Sequence, residues 1–200
     1  MTKAVLLDLG NVVLGVDFRR VFKYWAQATN KPVQIFYDAW QLDDAYKDHE
    51  VANIDFATYT AALSEQFGVQ MSLQDWQHGW NDIWTQPFHS VIELLPALAS
   101  RYALYGFSNT NETHEKFWRE TFHQHLSSFQ KIYTSSNIGL RKPDAQAYDY
   151  VCKDMQLEPA KVLFLDDTLE NISGALEVGL DAHHVASEAE ISAILSRLLQ

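Results

Sequence analysis

Four short apolar runs, each cut off by polar or turn-forming residues, constrain this 200-residue chain more than any other feature. Residues 4–9 end at Gly10-Asn11, residues 103–107 at Ser108-Asn109-Thr110-Asn111, residues 132–134 at Ser135-Ser136-Asn137, and residues 162–165 at Asp166-Asp167. Such runs read as strands buried on both faces, the signature of a parallel sheet. Residues 182–185, with two histidines among them, are a fifth candidate strand. Helical spacing fills the intervals. Val91, Leu94, Leu95 and Leu98 recur on one face, as do Tyr148, Val151, Cys152 and Met155, then Ile172, Ala175 and Leu176 before a helix stop at Gly179, and finally Ile191, Ile194, Leu195 and Leu198. Strands alternating with helices predict an α/β fold with a Rossmann-like parallel sheet and right-handed crossovers.

One stretch breaks the alternation. Residues 17–85 carry helical patterns and no convincing strand, and Trp76, Trp80 and Trp84 fall four apart, as on one helix face. An insertion directly after the first strand sits over the carboxyl edge of the sheet, where open α/β sheets bind ligands. Residues 17–85 are therefore expected to form a helical cap, and residues 1–16 with 86–200 the core domain. The tryptophan stripe is expected to pack the cap rather than touch a ligand.

Composition narrows the partners. The formal net charge of −11 argues against nucleic acid and anionic membranes, which are captured by basic patches. No run approaches the roughly 20 apolar residues of a membrane helix. Cys152 is the one cysteine, which excludes an intramolecular disulfide and a thiolate zinc cluster. Together with a start that lacks a signal-peptide run, this gives a cytoplasmic expectation. The histidines lack zinc-enzyme spacing and are expected on the surface or in structural roles, and Cys152 in packing.

A parallel sheet brings all its strand ends to one edge, so residues distant in sequence converge there. They are Asp8 and Asn11, Ser108 and Asn109, Asp166 and Asp167, with Lys142 at a helix start in Gly139-Leu140-Arg141-Lys142-Pro143. Several carboxylates brought together repel one another unless a cation lies between them. Oxygen ligands without cysteine or a histidine pair point to Mg2+ rather than zinc. Lys142 can neutralise further charge, and Ser108 with neighbouring backbone N–H groups can bind phosphate oxygens. One of the carboxylates can then attack phosphorus and form an aspartyl-phosphate.

Asp8-Leu9-Gly10-Asn11-Val12-Val13, Ser108-Asn109-Thr110, Lys142-Pro143 and Asp166-Asp167 resemble, in order, the four motifs of the haloacid dehalogenase-like hydrolase superfamily. With Ser108-Asn109-Thr110-Asn111 and Arg141-Lys142-Pro143, the chain resembles a helical-cap subgroup that includes bacterial glucose-1-phosphate phosphatases. The resemblance covers the whole chain. It implies a magnesium-dependent phosphatase acting on small, sugar phosphate-like monoesters. Asp8 is then nucleophile and metal ligand, and Gly10 gives its backbone carbonyl to the metal. Ser108 and Asn109 hold the phosphate, and Lys142 bridges nucleophile and phosphate. Asp167 binds the metal directly and Asp166 through water. The partner implied is a small phosphorylated metabolite, and the chain a monomer or homodimer.

Two departures matter. Most phosphatases of the superfamily carry a second aspartate, the general acid, where Gly10 stands. General acid–base help is typically worth about 10²–10⁴-fold, so poor leaving groups suffer most. His49, Glu50, Asp17 or a water are the candidate substitutes. The subgroup's Glu-Arg-Gly-Glu-Ile also reads Glu50-Val51-Ala52-Asn53-Ile54 here, without the arginine. Two alternatives accompany the phosphatase reading. One is 2-haloacid dehalogenase-type hydrolysis, which needs no metal and gives the Asp166-Asp167 pair no task. The other is a catalytically weak protein that binds phosphate ligands.

Overall fold

The computed structural model describes residues 1–200. Five strands form one parallel sheet: β1 (Ala4–Leu7), β4 (Ala103–Ser108), β5 (Lys131–Thr134), β6 (Val162–Asp166) and β7 (Asp181–His184), in the order β5-β4-β1-β6-β7. Two further strands, β2 (Leu14–Val16) and β3 (Trp84–Pro87), pair antiparallel in a separate ribbon. All five expected strands are present. β1 is shorter than its apolar run because the chain leaves the ladder after Leu7. The Leu9 carbonyl then accepts from the N–H groups of Val13 and Leu14, at 2.9 and 2.8 Å, and turns the backbone over.

β1 is the central strand and its residues are fully buried. Their alternation divides the core, as the two-residue period of a strand requires. Val5 and Leu7 join a large cluster that runs on to Trp25 and Trp80, whereas Ala4 and Leu6 pack with Tyr148 and Ile172 on the opposite face. Chain order proceeds from β1 to β4 and β5 on one side, then crosses to β6 and β7 on the other. The direction therefore reverses at β1, and the crevice at its carboxyl end is the position where such sheets accept ligands.

Between β2 and β3 lie five helices: α1 (Phe18–Thr29), α2 (Gln34–Ala39), α3 (Asp44–Glu50), α4 (Phe56–Phe67) and α5 (Leu73–Asn81). Asp17, Asp43, Asp55 and Ser72 cap the first turns of α1, α3, α4 and α5, each side chain accepting a backbone N–H. A Cβ on Gly79 would lie 2.3 Å from Trp25 Nε1, so only glycine lets α5 approach α1 so closely.

The remaining helices flank the sheet: α6 (His89–Ile92), α7 (Leu95–Ala99), α8 (Glu112–Thr121), α9 (Ser135–Ile138), α10 (Ala145–Asp154), α11 (Leu169–Glu177) and α12 (Glu188–Leu198). The helical pattern at residues 91–98 is two short helices rather than one, with Pro96 in the first turn of α7.

Trp84 corrects the sequence reading. It shares the spacing of Trp76 and Trp80 but opens β3, because α5 ends at Asn81. The stretch read as free of strands therefore closes with one. Val16 lies opposite Trp84 and Leu14 opposite Pro87, so the outgoing and returning chains are paired side by side. Local spacing cannot reveal this, since the pairing partner lies about seventy residues away.

Candidate active site

The carboxyl ends of β1, β4 and β6 deliver Asp8, Ser108 and Asp166 to one place, and the loop before α10 delivers Lys142. Asp8 follows β1, and its backbone N–H donates to the Leu165 carbonyl at 2.9 Å, which fixes it beside β6. Lys142 is buried. Its ammonium donates to Asp8 Oδ1 at 2.7 Å, Asp166 Oδ2 at 2.6 Å and the Phe107 carbonyl at 2.8 Å. A lysine has three N–H donors, and here each has an acceptor.

The supports around this cluster are equally local. The Asn109 side chain accepts from the Lys142 N–H and donates to the Lys142 carbonyl, both at 2.8 Å. Asn171, in the first turn of α11, donates to both oxygens of Asp166 at 3.0 and 3.1 Å, and the Thr168 N–H adds a third bond at 2.8 Å. A Cβ on Gly174 would lie 2.2 Å from the Pro143 carbonyl, so glycine allows α11 to press against the loop that carries Lys142. Asn11, at φ 54°, accepts from the Val16 N–H and donates to Asp167 Oδ2 at 3.2 Å. The left-handed conformation suits asparagine, which tolerates it better than most residues.

Burial sets the electrostatics. Removal from water pushes the Asp8 carboxyl well above the usual carboxylate range; the Asp166 and Asp167 carboxylates add to this, and Lys142 opposes it. Burial alone would lower the Lys142 ammonium, but Asp166 and Asp8 outweigh it and hold it above its ordinary value. Asp167 is also raised, first by burial, with Asn11 and Lys142 opposing. One lysine therefore leaves the three acids short of positive charge.

Oxygens of Asp8, Asp166 and Asp167 all lie within 4.8 Å of one another. An all-carboxylate donor set at that separation suits a hard, oxygen-preferring cation such as Mg2+. Asp166 has both oxygens engaged by nitrogen donors, whereas Asp8 Oδ2 and the half-buried Asp167 are less committed. Gly10 adjoins them, and a Cβ there would lie 3.8 Å from Asp8 Oδ2 and 3.4 Å from Val16, so packing does not exclude a side chain.

These groups open into a cavity of about 580 Å³. Asp8, Gly10, Ser108, Asn109, Lys142 and Asp167 line one end. Phe18, Tyr46, Glu50, Trp84, His114 and Arg141 line the other. A larger groove of about 820 Å³, beside α5 and α8, contains none of the clustered acids or Lys142. The residues given nucleophile, phosphate or metal roles from the sequence thus reach one locality; of the three side chains offered in place of an acid at Gly10, Glu50 lines the cavity, whereas Asp17 pairs with Arg19 and His49 stacks on Tyr59. What that reading missed is the set of supports, Asn171 and the Phe107 carbonyl, and the pairing of Glu50 with Arg141. Arg141 Nε and Nη2 each lie 2.9 Å from Glu50 Oε2, across 91 residues of sequence. Only the placement of Asn171 in the turn after the paired acids could have signalled its role.

The structural histidines are as expected. His114 is buried; its Nε2 lies 3.0 Å from the Trp80 carbonyl, its ring stacks on Trp80, and burial lowers it to about 3. Cys152 is buried among apolar side chains. No helix of the structure is long and apolar enough to cross a membrane.

The central strand thus ends at Asp8, which meets the buried Lys142 and the acid pair that closes the neighbouring strand. The family model described as haloacid dehalogenase-like hydrolase matches residues 2–179, and the chain belongs to that family. Among individual proteins, D-ribitol-5-phosphate phosphatase of Bacteroides thetaiotaomicron is 20% identical over 197 residues, which is 95% of each chain. A haloacid dehalogenase family enzyme of the same organism, solved with magnesium and inorganic phosphate, is 25% identical with a TM-score of 0.80, covering 94% of this chain and 96% of its own. A predicted HAD-like family hydrolase from Porphyromonas gingivalis has the same fold, 20% identical with a TM-score of 0.87, covering 100% of this chain and 98% of its own.

Proposed function

We propose that this chain is a magnesium-dependent phosphatase of small phosphate monoesters, with Asp8 as nucleophile and residues 17–85 as a cap over the core formed by 1–16 and 86–200. The observation that carries the reading is Lys142 Nζ held between Asp8 and Asp166, with Asp167 within metal-sharing distance of both. Magnesium and phosphate in the similar Bacteroides enzyme, and the activity of the ribitol-5-phosphate phosphatase, support the same class of reaction.

In this reading Lys142 holds one Asp8 oxygen and leaves the other facing the cavity. That oxygen attacks phosphorus, the bond to the ester oxygen breaks, and the departing oxygen takes a proton from solvent, which the attacking water of the next step returns. Water then attacks phosphorus and releases phosphate, restoring the Asp8 carboxylate. Bound Mg2+ would supply charge neutralisation and polarise the phosphoryl group. Asp8, Asp167 and the Gly10 carbonyl would hold it. Asp166, with both oxygens already hydrogen-bonded, would act through water and steady Lys142. Ser108 and the backbone after β4 would bind phosphate oxygens. The Asn109 side chain serves chiefly to fix the Lys142 backbone. Gly10 offers no acid, so substrates whose leaving group needs least protonation should turn over fastest.

The D8N variant should lose p-nitrophenyl phosphate hydrolysis by on the order of 10⁴-fold or more. Chelation should stop the wild type, and added Mg2+ should raise its unfolding midpoint. Full activity in D8N would refute the assignment.

A further inference from the structure

We propose that Arg141, aimed by Glu50, is a specificity-determining residue that selects esters of neutral, hydroxylated alcohols. The inference rests on the phosphatase reading and concerns the half of the cavity that the phosphate does not occupy.

Arg141 directly precedes Lys142, so its backbone is fixed next to the residue that holds Asp8. Its side chain turns toward the insertion instead of following Lys142. Nε and Nη2 both approach Glu50 Oε2 at 2.9 Å. A guanidinium has five N–H donors in a rigid fork. Its protein contacts fall on that one oxygen, which leaves at least three donors without a protein partner beside the cavity. The Arg141 side chain is 17% exposed, that of Glu50 only 4%.

Glu50 is well anchored. It ends α3, and the Ser135 hydroxyl of α9 lies 2.7 Å from its carbonyl, tying the insertion to the core at this residue. Tyr46 stands one helical turn earlier on α3 and is buried. All three side chains line the cavity that holds Asp8. The wall therefore presents a carboxylate acceptor beside guanidinium donors, with nearby charges that cancel.

That pattern discriminates by chemistry. An alcohol hydroxyl both donates and accepts, and so satisfies both partners. A second anionic group meets no uncompensated cation, because Glu50 already neutralises Arg141. An alkyl chain would cover the free guanidinium N–H groups without pairing them, and leaving buried donors unpaired is how sites reject analogues that lack a hydroxyl. Phe18 and Trp84 supply apolar walls but cannot offset that loss.

The test compares kcat/KM for a short polyol phosphate with that for the n-alkyl phosphate of the same carbon length, using p-nitrophenyl phosphate as a control for turnover itself. The wild type should prefer the polyol ester by about 10²-fold. In E50Q and R141K the preference should fall by about tenfold or more, with the loss in KM for the polyol ester rather than in kcat. A wild-type preference below about threefold overturns the proposal, and this comparison decides even if a variant fails to fold. So does a preference unchanged in both variants, since lysine retains charge but not the planar fork. Turnover of p-nitrophenyl phosphate without any preference refutes this inference alone. No turnover of any ester refutes the phosphatase reading and this inference together.

Discussion

At the carboxyl edge of the sheet the Lys142 ammonium meets three acceptors and Asp166 accepts at both oxygens, so buried charge is matched group by group. In the helical insertion several buried polar atoms are unmatched. Trp40 Nε1, His49 Nδ1, Tyr59 Oη and Trp80 Nε1 have no partner, and these residues pack through their ring faces. Trp80 lies 5.9 Å from Trp25, 5.5 Å from Tyr59 and 4.7 Å from His114, measured between ring centroids. A buried charge without a partner costs far more than a buried indole N–H. The first region must therefore hold a fixed geometry, whereas the second needs only to fill space. On the phosphatase reading proposed above, the first region would carry the chemistry and the second would shape the leaving-group pocket.

The sharpest way to break this contrast is to remove the buried cation. Lys142→Met conserves most of the volume and leaves Asp8 and Asp166 facing each other. The expected loss is about 3–5 kcal/mol in urea unfolding without metal, with turnover reduced to background and part of the stability restored by Mg2+. A loss below about 1 kcal/mol would mean that the matched network does not hold the edge together.

Trp80→Ala should also destabilise, by about 3–5 kcal/mol, through a cavity rather than through charge. Stabilisation by Mg2+ should persist in this variant, because no acid or lysine of the cluster is touched. Loss of that stabilisation would show the two regions to be one cooperative unit.

The smallest effect concerns His49. Its ring stacks on Tyr59 at 4.6 Å, and burial lowers it to about 4, with Asp55 opposing. A histidine whose folded value is depressed contributes stability that is full above its unfolded value near 6.5. That contribution is lost as pH falls toward 4. His114 acts in the same direction. Each contributes a slope of up to about 1.4 kcal/mol per pH unit in that window. His49→Phe keeps the stack and removes the titration. The variant should lie within about 1 kcal/mol of wild type at pH 7 and lose less stability between pH 6.5 and 5. An unchanged slope in urea midpoints would remove His49 from the account.

Much of the site was legible because it is written at strand ends. Asp8, Ser108 and the Asp166-Asp167 pair each follow an apolar run, and a parallel sheet converts that local position into spatial proximity without further information. Lys142 was legible by its place before a proline at a helix start. The insertion could be recognised as helical, but its closing strand could not, because Trp84 carries the spacing of a helix face and becomes a strand only through pairing with Val16.

By itself the sequence determined the order of the five strands of the parallel sheet, the acids and lysine available to the site, and the missing side chain at position 10. Tertiary structure alone decided which charges neutralise which. Lys142 sits between Asp8 and Asp166, Asn171 clamps Asp166, and Arg141 crosses to Glu50, because each partnership depends on distances between elements far apart in the chain. Periodicity reports which face of an element is buried. It carries no information on which distant element covers that face, and that is what fixes the hydrogen bonds and charges of the site.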